Sequence, residues 1–152
     1  MRLRLSARVR DEIHAHGVRG YPQEVCGALL GREVSGDGAG ELRDVTAVFA
    51  LENRREQEAQ HNRFSVTPQD VMRAERAARE SGLDLLGWYH THPDHPARPS
   101  EFDREHAWPW YSYVILSMAA REPGDMTSWR LADDRSAYSA ESIEVEGNEA
   151  EK

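Results

Sequence analysis

The chain has 152 residues, 39% of them hydrophobic and 30% charged, with a formal charge of −8. A chain of this length buries about two-thirds of its unfolded surface around one core, and no apolar run approaches the roughly 20 residues needed to cross a bilayer, so the expectation is one globular domain over residues 1–146 with a disordered tail at 147–152. The acidic balance argues against nonspecific binding to nucleic acid or to an anionic membrane, and a single cysteine, Cys26, excludes an internal disulfide framework and a multi-cysteine zinc module.

The N-terminal "MRLRLSARVRDE" carries basic residues without an apolar signal core, from which cytoplasmic residence is expected. Ser6 is placed to cap a first helix in which Val9 and Ile13 lie four apart, with Gly17 as its stop. "EVCGALLG" (Glu24 to Gly31) reads as a short apolar strand. "GDGAG" is turn material, and Leu42, Val45, Ala47 and Phe49 mark a second, partly alternating strand, which makes the pair a hairpin. The polar run "LENRREQEAQHNR" reads as a surface loop, with "FSV" offering a short strand after it.

Thr67 caps the next helix, Pro68 suits its first position, Asp70 lies at the positive end of its dipole, and Ser81-Gly82 closes it. "LDLLGWY" follows, apolar on both faces, the pattern of a central strand covered by helices. "YSYVILSMA" is a second buried strand, and "MTSWRLA" and "AYSAESIEV" read as later antiparallel strands. The whole reads as one α/β unit.

Chemistry concentrates in "GWYHTHPDHPARPSEFD", which begins as the end of the central strand. His90 and His92 are two apart, so an extended backbone projects both imidazoles to one face, where a helix would diverge them. Pro93 stops further strand pairing, and Pro96 and Pro99 stiffen the loop that returns Asp103, a suitable third ligand. Two imidazoles and a carboxylate suit zinc, with a fourth position left for water. Glu24, remote in sequence, is the candidate base. Each part alone also has an ordinary structural meaning: Ser100-x-x-Asp103 is a helix-capping pattern, and two histidines at a strand end often form a polar rim. The two meanings are compatible, since a cap fixes the turn that presents Asp103. His95 reads as a solvated loop histidine and Cys26 as core packing; His61 and His106 carry no informative spacing, and Trp88, Trp108 and Trp110 read as core and rim packing.

Taken together, "EVCGALLG" followed by "HTHPDHPARPSEFD" resembles the JAMM (MPN, Mov34-type) metalloprotease signature, a distant Glu followed by H-x-H-P-x6-S-x-x-D, and the spacing from His90 to Asp103 matches without a gap. The resemblance covers most of the chain. It implies a cytidine-deaminase-like α/β fold, a central mixed β-sheet flanked by helices. It also implies that His90, His92 and Asp103 hold Zn2+, that Glu24 is the general acid/base acting through the zinc-bound water, and that Ser100 helps stabilise the oxyanion. The likeness is closer to the small prokaryotic forms, which implies a ubiquitin-like sulfur-carrier protein ending in Gly-Gly as substrate, with release of cysteine or a short C-terminal extension. A glycine tail suits a narrow groove in which it pairs with a strand edge. A deubiquitinase-like lysine isopeptidase and a noncatalytic MPN scaffold binding partner subunits stand as alternatives, while a zinc nucleobase deaminase lacks its H-x-E and P-C-x-x-C elements here. Nothing in the residues assigns an oligomeric state.

Overall fold

A computed structural model describes residues 1–34, 41–51 and 66–146. "GDGAG", the segment 52–65 and the expected tail at 147–152 lie outside the described residues, and Val66, the last residue of "FSV", belongs to no strand.

The chain opens with a strand not expected from the sequence, β1 (Arg2–Ser6), in which Leu3 and Leu5 are fully buried between partly exposed arginines. Two leucines in a basic run are too few to mark a period of two, and the strand exists because β3 and β7 flank it with parallel ladders. The helix α1 (Ala7–Gly20) starts as expected, with the Ser6 hydroxyl accepting from the Val9 amide at 3.1 Å. Gly17 is not its stop: the helix runs on to Gly20. A Cβ at Gly17 would lie 3.0 Å from Met118 Sδ and 3.2 Å from Thr91 Cγ2, so the glycine serves close approach to the sheet rather than termination.

β2 (Cys26–Val34) and β3 (Leu42–Leu51) pair antiparallel as expected. In α2 (Pro68–Ser81), Thr67 and Asp70 form a reciprocal capping box and Gly82 closes the helix at φ 71°, the left-handed conformation that glycine adopts without steric cost. The remaining elements are β4 (Asp84–Pro93), α3 (Glu101–His106), β5 (Ser112–Ala119), β6 (Glu122–Leu131) and β7 (Tyr138–Glu146). The strands run in the order β1-β3-β2-β4-β5-β6-β7, and β7 returns to β1, closing one mixed sheet into a barrel.

β4 lies at the centre, antiparallel to β2 and parallel to β5. One core cluster joins Leu3, Leu5, Val9 and Ile13 to Leu29, Tyr89 and Leu116. On the other face Ala74 and Ala78 of α2 pack on Ala28, Leu30 and Trp88. Arg43, on a strand that looks outward-facing at that position, is fully buried, donating to the Leu86 carbonyl at 3.2 Å and Ser112 Oγ at 3.0 Å under the Trp110 ring. The ladders that close the barrel stop at Val45 of β3, level with Asp84 of β4, and at Ser128 of β6, level with Tyr89. His90 and His92 lie beyond both levels, at the open end of the sheet. No described helix is long and apolar enough to cross a membrane.

Candidate metal centre

His90 and His92 project from the same face of β4, and α3 delivers Asp103 to them. His90 Nε2 lies 3.3 Å from His92 Nε2 and 3.4 Å from Asp103 Oδ2, and His92 Nε2 lies 3.1 Å from the same oxygen. A tetrahedral ion with ligands at 2.0–2.1 Å requires donor separations of about 3.3–3.4 Å. The triangle therefore has the dimensions of three corners of such a site. All three side chains are buried.

Their surroundings prepare them as ligands. His92 Nδ1 donates to the Pro96 carbonyl at 2.9 Å, so a metal that displaced the Nε2 proton shared with Asp103 would meet the Nε2 lone pair directed at the common centre. Pro96 thus does more than stiffen the loop. Burial pushes the Asp103 carboxyl up, but hydrogen bonds with His90 and His92 and the Ser100 amide outweigh burial and hold it well below the usual carboxylate range. Burial pushes His90 down, keeping it neutral. Burial opposes charge on His92 as well, yet Asp103 and the Pro96 carbonyl raise its pKa. An ionised carboxylate beside two imidazoles is a donor set suited to a divalent metal.

Both meanings of Ser100-x-x-Asp103 hold at once. Ser100 Oγ accepts from the Asp103 amide at 3.0 Å, and Asp103 Oδ2 accepts from the Ser100 amide at 2.9 Å while facing the imidazoles. The cap orients the ligand. Tyr138 on β7 braces the turn, its hydroxyl donating to the Asp103 carbonyl at 3.1 Å.

Glu24 is not on a strand but in the connection just before β2, buried, and it lines a cleft of about 450 Å³ together with His92, His95, Arg98 and Ser100. Its position is set through the next residue: Val25 N–H donates to Thr91 Oγ1 at 3.0 Å, and the Thr91 amide donates to the Val25 carbonyl at 3.0 Å. Thr91, between the two histidines, points away from them by strand alternation. Its role was invisible in sequence because its partner is 66 positions away. His95 is exposed on the cleft wall; His106 is exposed, stacks on Phe102 and lies outside the metal triangle. Cys26 is partly buried against the Ala28 and Trp88 cluster, consistent with packing. Trp88 is core, and Trp108 and Trp110 are at the rim. His61 falls outside the described residues.

Residues 6–132 match the family described as prokaryotic homologs of the JAB domain, and the chain belongs to that family. It is 34% identical over 125 residues to a Haloferax volcanii protein named desampylase, covering 79% of this chain and 84% of the relative. It is 32% identical over 106 residues to a Thermus thermophilus protein named "Probable TtuB-protein conjugate cleaving protease", covering 70% of this chain and 64% of the relative. A solution structure of a Desulfitobacterium hafniense protein superposes with a TM-score of 0.80 at 31% identity, covering 96% of this chain and 94% of that one. A JAB1/MPN domain protein from Archaeoglobus fulgidus, 16% identical, shares the fold with a TM-score of 0.58 over 95% of this chain and 97% of its own.

Proposed function

We propose that the protein is a zinc-dependent hydrolase that cleaves a peptide or isopeptide bond after the C-terminal Gly-Gly of a ubiquitin-like protein. The observation that carries this reading is the buried triangle of His90, His92 and Asp103, at tetrahedral donor spacing, beside a cleft that also holds Glu24 and Ser100. Zinc held by these three residues would supply a Lewis acid for the scissile carbonyl and would lower the pKa of a water to about 7.

The chain's own groups supply the rest. Glu24 takes the proton of the attacking water and returns it to the leaving amine, a transfer its place in the cleft suits. Ser100 Oγ already accepts from the Asp103 amide, so its hydroxyl hydrogen is left to donate to the developing oxyanion. A glycine tail suits the cleft, since its backbone approaches without side-chain clashes. The names borne by the relatives, desampylase and conjugate cleaving protease, support conjugates of ubiquitin-like proteins as the substrate class. A complete donor set with a buried acid beside it also favours an enzyme over a binding scaffold.

The test is intact-mass analysis of Gly-Gly carrier proteins bearing a C-terminal cysteine, a short extension or a lysine-linked partner, incubated with the zinc-loaded protein with and without chelator. Chelator-sensitive cleavage after Gly-Gly is expected. Bound zinc and folded protein with no mass change on any carrier would refute the assignment.

A further inference from the structure

We propose that Arg98 selects the leaving group: its guanidinium binds the α-carboxylate of a single C-terminal residue, so the cleft releases a terminal amino acid in preference to a lysine side chain. This rests on the hydrolase reading above and extends it to the far side of the scissile bond. Arg98 lines the same cleft as Glu24, His92 and Ser100. The backbone that carries it is fixed. Its amide donates to the Pro96 carbonyl at 2.9 Å, the Ala97 carbonyl accepts from Thr127 Oγ1 at 2.6 Å, and the His95 carbonyl accepts from Ser117 Oγ at 2.7 Å.

The side chain, by contrast, is unengaged among the described residues. Among the described residues nothing accepts a hydrogen bond from its guanidinium or forms an ion pair with it, while nearby Arg104 pairs with Glu101 and donates to the Arg135 carbonyl. An exposed arginine on a tethered loop, lining a cleft whose one carboxylate is Glu24, is a cation placed to meet an incoming anion. A substrate carboxylate entering that cleft meets the carboxylate of Glu24, and a cation on the cleft wall offsets that repulsion. The planar guanidinium fork matches a carboxylate in bidentate geometry. A lysine isopeptide presents a methylene chain at the same place and no carboxylate. Hydrolysis adds one water across the amide: the carrier keeps the new carboxylate, and the amino acid leaves with a protonated amine and the carboxylate that Arg98 held.

The experiment uses two synthetic tail peptides ending in Gly-Gly-Cys, one a free acid and the other a C-terminal carboxamide, with zinc-loaded wild type, R98A and R98K. Turnover is read as kcat/KM, and binding is read with E24Q and with E24Q/R98A. Wild type is expected to prefer the free acid about tenfold, the scale of one partly solvated charge-assisted contact. The loss should sit in KM and shrink with added salt. In R98A the ratio falls to about one, and R98K, a point charge without the fork, restores part of it. No preference in wild type, a preference that survives R98A, or equal binding of the two peptides to E24Q overturns the assignment. Failure of the hydrolase reading would look different: no cleavage of either peptide or of intact carriers, with the carboxylate preference still present in binding to E24Q and lost in E24Q/R98A.

Discussion

Replacing Thr91 by valine isolates the contact that sets the position of Glu24. Thr91 is 1% exposed, its methyl group facing Gly17 of α1 and its hydroxyl accepting from Val25 N–H at 3.0 Å. Valine keeps the shape and the methyl contact and removes only the acceptor. The return bond from the Thr91 amide to the Val25 carbonyl survives. An N–H left without a partner in a buried segment costs about 1–3 kcal/mol. In a domain of this size that lowers Tm by about 3–9 °C. Catalysis should suffer more than stability, because Glu24 is the residue next to the released amide, and a misplacement of about 1 Å costs on the order of 100-fold in rate. The assay combines urea unfolding, zinc stoichiometry and kcat on a Gly-Gly-extended carrier. Stability and kcat are expected to fall with zinc still bound. Full kcat in a variant that has lost stability would refute the idea that this bond positions Glu24.

Glu24→Gln should reduce turnover by at least about 100-fold, the usual loss for a general base, with zinc content unchanged; loss of the metal would make Glu24 a ligand instead. Gly87→Ala should destabilise the protein by about 1–3 kcal/mol or more, because the added Cβ would fall 2.0 Å from the Ser112 carbonyl oxygen and force β4 from β5; an unchanged urea midpoint would contradict the packing described. His16, hydrogen-bonded to the Tyr89 hydroxyl at 2.7 Å, is pushed down to about 4, first by burial and then by Arg19. Its folded value lies below the unfolded value, so the folded state binds fewer protons between about pH 4 and 6.5, and its contribution is complete above that window and lost as pH falls through it. Discounted for partial exposure, the loss is about 1–2 kcal/mol, and His16→Gln should flatten the acid limb of stability against pH; superimposable curves would refute it.

The candidate metal centre was legible in sequence to an unusual degree because His90, His92, Ser100 and Asp103 fall within fourteen consecutive residues, where their spacing is visible without any long-range partner. The helix signals at Ser6, Thr67 and Gly82 were legible for the same reason: each acts within a few residues of itself. What was not legible depends on partners far along the chain. β1 needs β3 and β7, Thr91 acts on Val25, Tyr138 braces Asp103, and Gly17 makes room for Met118. A local pattern gives glycine as a helix stop, and only the packed sheet reveals that this one is a contact. Glu24 stands between the two cases, a candidate base by residue type that the resemblance reinforces, and brought to the cleft by the Thr91 bonds.

The sharing of Asp103 Oδ2 between the Ser100 amide and the two imidazoles ties the first turn of α3 to the ligand sphere. A helix of six residues has little stability of its own. An ion that neutralises that oxygen should therefore change the protection of the α3 amides against deuterium exchange, with Ser100 N–H as the reporter of loading. Occupancy could be followed in this way in the absence of any substrate, with the α2 amides, on a separate capping box, as the internal standard.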